Sequence, residues 1–112
     1  MKEYPKRIRG QLRELMGIAY EQELGRELTQ LATHFDSWQA GQISARELDN
    51  LIHRYHNDHA RELYKYYNYV SPDIAVARAV VEGWLGEDAI PDEVRPYIEA
   101  MVLFHRDQQD AE

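Results

Sequence analysis

The segment GQISAREL, residues 41–48, marks the point at which the chain turns from one long helical stretch into the next. Ser44 and Glu47 have the spacing of a capping box, in which each side chain satisfies a backbone N–H at the start of a helix. Ile43 and Leu48 have the spacing of a hydrophobic staple across the same start. This pattern predicts a turn before Ile43 and a helix that begins directly after Ser44.

Upstream of this turn, residues 6–38 carry two successive apolar stripes whose directions differ by roughly 130° around one helical wheel. The stripes consist of Ile8, Leu12, Leu15, Met16 and Ala19, and then of Leu24, Leu28, Leu31, Phe35 and Trp38. An unbroken helix of this length would span about 50 Å. We therefore expect a break near Gly17 or Gly25, or an N-terminal helix that packs on a second subunit.

Downstream of the turn, one apolar stripe continues with helical spacing for more than 20 residues. Its members are Leu48, Leu51, Ile52, Tyr55, His59, Leu63, Tyr66 and Val70. The segment Ser71-Pro72-Asp73 then predicts the capped start of a third helix, with Ser71 as the cap. We expect that helix to run to about Leu85 and to stop at Gly86. A last helix is expected from about Glu93 or Pro96 to Arg106.

No part of the chain alternates apolar and polar residues with period two, so the sequence predicts no strand. We expect an all-α protein, a mainly antiparallel bundle of four or five helices that forms a single domain over residues 1–112. The basic arm at residues 1–7 and the polar tail at residues 107–112 are expected to fray.

The composition limits the classes of function that are open to the chain. Its 112 residues are 44% hydrophobic and include no cysteine, which excludes disulfides and thiolate chemistry and suits a reducing compartment. No apolar run has the roughly 20 residues of a membrane span, and the start of the chain does not resemble a signal peptide. We expect a cytoplasmic protein without membrane association. No phosphate-binding, dinucleotide-binding or nucleophile motif is present, so we do not expect an enzyme.

Charge is distributed unevenly along the chain. Residues 1–13 carry a net charge of +4, whereas the complete chain carries −7 and the remainder therefore −11. An acidic surface repels the phosphate backbone of nucleic acids. We expect a protein partner rather than a nucleic-acid partner.

A cluster of histidine and glutamate residues is a candidate metal site. His56 and His59 are spaced so that they share one helix face, and an antiparallel hairpin around residues 39–43 would place Glu23 beside His59 and Glu27 beside His56. Such a cluster could bind a transition metal such as zinc or iron. The alternative, which we favour, is a core histidine at position 59 that is hydrogen-bonded to Glu23 or a tyrosine, with no cofactor.

The segment YKYYNY, residues 64–69, places aromatic rings on every side of one helix end. Tyr64 and Tyr67 lie off the core stripe, and dense exposed tyrosines are typical of protein interfaces. Coverage of these rings by other helices is the alternative. Our predicted interface comprises Tyr64, Tyr67, Tyr69, Ile8, Leu12 and Leu15. The sequence thus favours a non-catalytic interaction or regulatory module that acts as a homodimer or with another protein, and a metal-binding or cofactor-binding bundle is the alternative function.

Overall fold

A computed structural model describes residues 3–111, and within that range the protein is all-α with no strand. The helices are α1 (Lys6–Gln39), α2 (Ala45–Arg54), α3 (Arg61–Tyr69), α4 (Pro72–Glu82) and α5 (Arg95–Asp110). A π-helical segment, Tyr55–Ala60, joins α2 to α3 without a break, and a short 3-10 turn covers Glu87–Ala89. The predicted all-α fold class with four or five helices is confirmed.

Helix α1 is a single helix of 34 residues, so the predicted break is absent. Neither Gly17 nor Gly25 adopts a positive φ. A glycine inside a helix costs only about 1 kcal/mol relative to alanine. The leucine, arginine, glutamine and glutamate residues around the two glycines favour the helix, and no proline interrupts it.

The turn between α1 and α2 has the predicted construction. Gly41 adopts the left-handed conformation, with φ of 77°. The Ser44 hydroxyl accepts the backbone N–H of Glu47 at 3.1 Å, and the Glu47 carboxylate accepts the Ser44 N–H at 3.4 Å. The capping box therefore fixes the start of α2.

The π-helical segment changes which residues of the second helical stretch face inward. A π-helical turn accommodates one more residue than an α-helical turn, so every later residue is displaced by one position around the helix. The inward residues are Leu48, Ile52, Tyr55, Ala60, Leu63 and Tyr67, with a step of five residues in the middle. The predicted stripe was therefore wrong at His59, which is exposed, whereas Leu63 faces inward as predicted and Tyr66 and Val70 are half-buried. Ala60 takes the place expected for His59, and Tyr67 is buried where Tyr66 was expected.

Helix α4 begins at Pro72 as predicted but ends earlier than predicted. Its stop is Gly83, which adopts a φ of 87°, and not Gly86. The backbone N–H groups of Trp84 and Leu85 donate hydrogen bonds to the carbonyl of Ala79, at 2.8 and 3.3 Å. This carbonyl at the end of the helix therefore has hydrogen-bond partners. Glycine is favoured at this position because a side chain is strained there.

The C-terminal end that was predicted to fray is largely helical, and the N-terminal one is helical only at its last two residues. Helix α1 already includes Lys6 and Arg7, and α5 continues to Asp110. The Arg9 N–H binds the carbonyl of Pro5 at 3.0 Å, which places the start of α1 directly after the proline. Met1, Lys2 and Glu112 lie outside the described residues.

The contacts of the chain divide it into two compact units. The first unit contains the residues up to Glu21 and those from Tyr69 onward, and α4 packs on α5 within it. The second unit is Gln22–Asn68, which we call the hairpin. Thirteen of the fifteen buried residues among those described belong to the first unit, and only Leu48 and Tyr67 are buried in the hairpin. The hydrophobic core of the chain therefore lies in the first unit.

Candidate interaction surface on the hairpin

Side-chain contacts show that the two helical stretches of the hairpin are antiparallel. The Tyr67 hydroxyl donates to Glu23 at 2.7 Å, and His59 Nδ1 lies 3.8 Å from Glu27 Oε2. Further along, both stretches line a small cleft of about 100 Å³. The cleft is lined by Glu27, Gln30, Leu31, His34, Leu51, Arg54, Tyr55 and His59. Higher residue numbers in α1 thus meet lower numbers in the second stretch.

The register of this pairing differs by about one helical turn from the predicted one. Glu27, and not Glu23, lies beside His59. Two features cause the difference. The turn is centred one residue later than expected, because α1 continues to Gln39. The π-helical segment then adds one more residue before His59.

The predicted metal ligands do not form a donor set. Only Glu27 and His59 approach each other, His56 is exposed, and Glu23 accepts the hydroxyl of Tyr67. Among residues 3–111, no group of three or more histidine, aspartate or glutamate side chains could hold a metal ion. The core-histidine interpretation is wrong as well, because the His59 side chain is 60% exposed.

The tyrosine cluster divides into structural and exposed members. Tyr64 and Tyr69 are 60% and 86% exposed, so both are accessible to a partner. Tyr67 is only 5% exposed, and its ring meets the edge of Tyr66 with 5.0 Å between ring centroids. Tyr67 is therefore a structural residue and is withdrawn from the predicted interface.

The N-terminal members of the predicted interface are also withdrawn. Ile8, Leu12 and Leu15 are at most 6% exposed and belong to the core of the first unit. Near these residues, an ion pair and a hydrogen bond connect the start of α1 to the segment before α5. Arg7 lies 3.0 Å from the Glu93 carboxylate, and Gln11 donates to the same carboxylate at 2.7 Å. Their side chains therefore offer no free apolar surface.

The exposed apolar surface of the hairpin lies on the second stripe of α1. Leu28, Phe35 and Trp38 are 47%, 38% and 41% exposed, and Leu24 and Leu31 are half-buried. The predicted interface included residues of the first stripe and none of this second one. The exposure of the stripe depends on how many helices pack together, which the spacing does not indicate. A hairpin of two helices has no third element to cover such a stripe.

The stripe lies beside the cleft between the two helical stretches, and its member Leu31 also lines the cleft. Glu27 and His34 line the cleft, and Leu28 and Phe35 directly follow them, about 100° further around the helix. On the second stretch, Ile52 follows the cleft residue Leu51 in the same way. Because the stretches are antiparallel, rotation in the same sense brings both stripes to one side of the hairpin. We call this side the apolar face; it comprises the exposed Leu28, Phe35 and Trp38 and the half-buried Leu24, Leu31, Ile52 and Tyr55, of which Leu31 and Tyr55 also line the cleft.

The exposed apolar residues of α5 do not form a comparable stripe. On α5, Leu103 and Phe104 are 55% and 60% exposed. They are consecutive, so their side chains diverge by about 100° and form no stripe. A cleft of about 310 Å³ is lined by Leu103 and also by Arg106 and Glu87, which form an ion pair. These residues provide a matched comparison for the apolar face.

Comparisons with protein-family models, with curated proteins and with solved structures find no match to this chain. Within the described residues, no helix is both long enough and apolar enough to cross a membrane. The chain's own surface is therefore the guide to its function.

Proposed function

We propose that the protein is a non-catalytic interaction module that binds another polypeptide chain through the apolar face of its hairpin. One observation carries this proposal. The hairpin buries only two residues completely, yet it holds Leu28, Phe35 and Trp38 on one continuous stripe, each more than a third exposed. Contiguous apolar patches on a soluble protein are typical of sites that bind another protein.

Coverage of this stripe would provide a substantial part of a binding energy. Complete burial of a large apolar side chain is worth about 1.5–3 kcal/mol. Leu28, Phe35 and Trp38 each retain roughly half of their surface, so their coverage contributes about 1 kcal/mol each. Aromatic anchors of this kind are common at the centres of protein interfaces.

Charge and composition support a protein partner in a reducing compartment. The net charge of −7 opposes binding to a phosphate backbone. The absence of cysteine suits the cytoplasm, and we propose that compartment as the site of the interaction. The metal-binding alternative has no comparable support, because only one histidine and one carboxylate of the predicted set come together.

Site-specific photo-cross-linking tests the proposal. Benzoylphenylalanine is introduced in place of Phe35 on the apolar face, or of Phe104 on α5 as the matched exposed control. Both proteins are irradiated in an extract of the cells that produce the chain. We expect a discrete adduct from position 35 that disappears in the Leu28→Glu background, and none from position 104. The absence of an adduct from position 35 would overturn the proposal.

A further inference from the structure

We infer that the partner of the apolar face is a second copy of this chain, so that two hairpins together form a four-helix bundle. This inference rests on the proposed function and specifies its occupant. It is supported by the shape of the face, by its charge and by its area.

The shape of the face is that of a helix-packing seam. Leu24, Leu28, Leu31, Phe35 and Trp38 follow one another at intervals of four, three, four and three residues. This is the heptad spacing that packs side chains as knobs into the holes of a facing helix. The second stretch has the same spacing before the π-helical segment, at Leu48, Ile52 and Tyr55, but Leu48 is buried within the hairpin and Ile52 and Tyr55 are half-buried. Two copies would therefore pack mainly through the exposed seam of α1, with Ile52 and Tyr55 beside it.

Small residues beside the seam leave room for a facing helix. Gly25 and Ala32 lie one heptad apart, next to Leu28 and Phe35 on the side remote from the cleft. A Cβ atom added to Gly25 would meet no atom within 4 Å, and Ala32 is exposed. Large side chains from a second copy could approach the α1 backbone here, as knobs approach holes.

The charge of the hairpin permits two copies to meet. Residues 22–68 contain five basic and seven acidic side chains, a net charge of −2, whereas the rest of the chain carries −5. No charged residue belongs to the apolar face. Like charges repel across an interface, so an acidic chain associates with itself most readily where its charge is lowest. Of the two compact units, the hairpin carries the smaller net charge.

The area of the face suits a weak, concentration-dependent dimer. The seam from Leu24 to Trp38 is about 21 Å long, the apolar part of the second stretch from Leu48 to Tyr55 is about 10 Å long, and each helix is about 10 Å wide. The projected face is thus roughly 310 Å² per copy, or about 620 Å² for both, before the relief of the side chains is included. This area is below the roughly 1,200 Å² of standard specific interfaces and lies in the range of transient ones. A twofold axis suits the arrangement, because each copy presents the same patch.

Analytical ultracentrifugation of the purified chain over a hundredfold concentration range tests this inference. We expect the mass to rise from 13.2 kDa towards about 26 kDa. Leu28→Glu with Phe35→Glu is expected to raise the dissociation constant by roughly 100-fold. The matched pair Leu103→Glu with Phe104→Glu is expected to leave it unchanged. Circular dichroism establishes that each variant is folded.

A second variant avoids the loss of apolar contacts within one chain. Ala32→Lys adds a charge beside the seam at an exposed position, so it should preserve the monomer and weaken the dimer. A wild-type monomer at every concentration, or a dimer that both face variants leave intact, would overturn the inference. An adduct from position 35 at a mass other than about 26 kDa would also overturn it but would support the proposed function. Absence of both the dimer and the adduct would refute both proposals.

Discussion

Asp73 provides a test of how the first unit is held together. Its side chain is buried in the first turn of α4 and accepts three hydrogen bonds from residues that the structure describes. The Ser71 hydroxyl and the Ile74 N–H donate to Oδ1, and the Tyr4 hydroxyl donates to Oδ2 at 2.9 Å. Ser71 therefore acts through Asp73 and makes no capping bond of its own to the backbone. We predict that Asp73→Asn destabilises the protein in a pH-dependent manner.

The magnitude follows from the number and type of the hydrogen bonds. In asparagine an NH₂ group replaces one of the two carboxylate oxygens, and this group cannot accept a hydrogen bond. A hydrogen bond to a charged group is worth about 1.5–3 kcal/mol. We expect Asp73→Asn to lower the free energy of unfolding by about 2 kcal/mol at neutral pH. For a domain of this size, the melting temperature would fall by roughly 6–10 °C.

The sign of the pH dependence follows from the pKa of Asp73. Burial raises this pKa, but the hydrogen bonds from Ser71, Tyr4 and Ile74 outweigh burial and lower it below the ordinary value of 3.8. The ionised carboxylate therefore stabilises the fold above about pH 4, and this contribution is lost as the pH falls through the folded-state pKa. The advantage of the wild type over the variant should decline over the same range.

Urea unfolding of both proteins at a series of pH values measures this difference. Asp88→Asn, at an exposed position in the 3-10 turn, is the matched control for the loss of one carboxylate. We expect that control to differ from wild type by less than about 0.5 kcal/mol. The reasoning is refuted if Asp73→Asn is as stable as wild type at neutral pH, or if its deficit persists below the folded-state pKa.

Three further substitutions or deletions probe other parts of the chain. Tyr67→Phe removes the donor to Glu23 and should lower the free energy of unfolding by about 1–2 kcal/mol in urea titrations; an unchanged midpoint would contradict this. Gly83→Ala should lower the free energy of unfolding by about 1–2 kcal/mol in the same assay, because residue 83 has a positive φ. Its control, Gly10→Ala within α1, should leave that free energy unchanged or raise it. Deletion of Asn57 should convert the π-helical segment to α-helix with the mean residue ellipticity retained; a large loss of ellipticity would contradict the register argument.

Local sequence signals were sufficient for the fold class and for the best-defined boundaries. The capping box at Ser44 and Glu47 is a contact between near neighbours, so its spacing alone identifies it. The end of α4 was harder to place, because Gly83 and Gly86 both fit a helix stop. Only the backbone bonds to the carbonyl of Ala79 distinguish them.

The π-helical segment explains most of the remaining differences. A strict helical period placed His59 in the core and Tyr67 outside it, and one additional residue per turn reverses both assignments. Four consecutive polar residues, 56–59, separate the apolar residues Tyr55 and Ala60. This gap in the sequence indicates that these two inward residues are five positions apart. The exposure of Leu28 and Phe35 could not be inferred from spacing, because a core stripe and an interface stripe have the same period.

The central claim, that the apolar face is covered by another chain, is tested most directly by the fluorescence of Trp38. The chain contains two tryptophans, so Trp84→Phe leaves Trp38 as the only one. In the single chain Trp38 is 41% exposed, and coverage by a second hairpin would remove it from water. We predict that its emission maximum shifts to longer wavelength when a concentrated solution is diluted, and that Leu28→Glu abolishes the concentration dependence. An emission maximum that is independent of concentration, and is also unaltered by the natural binding partner in cell extract, would contradict the account.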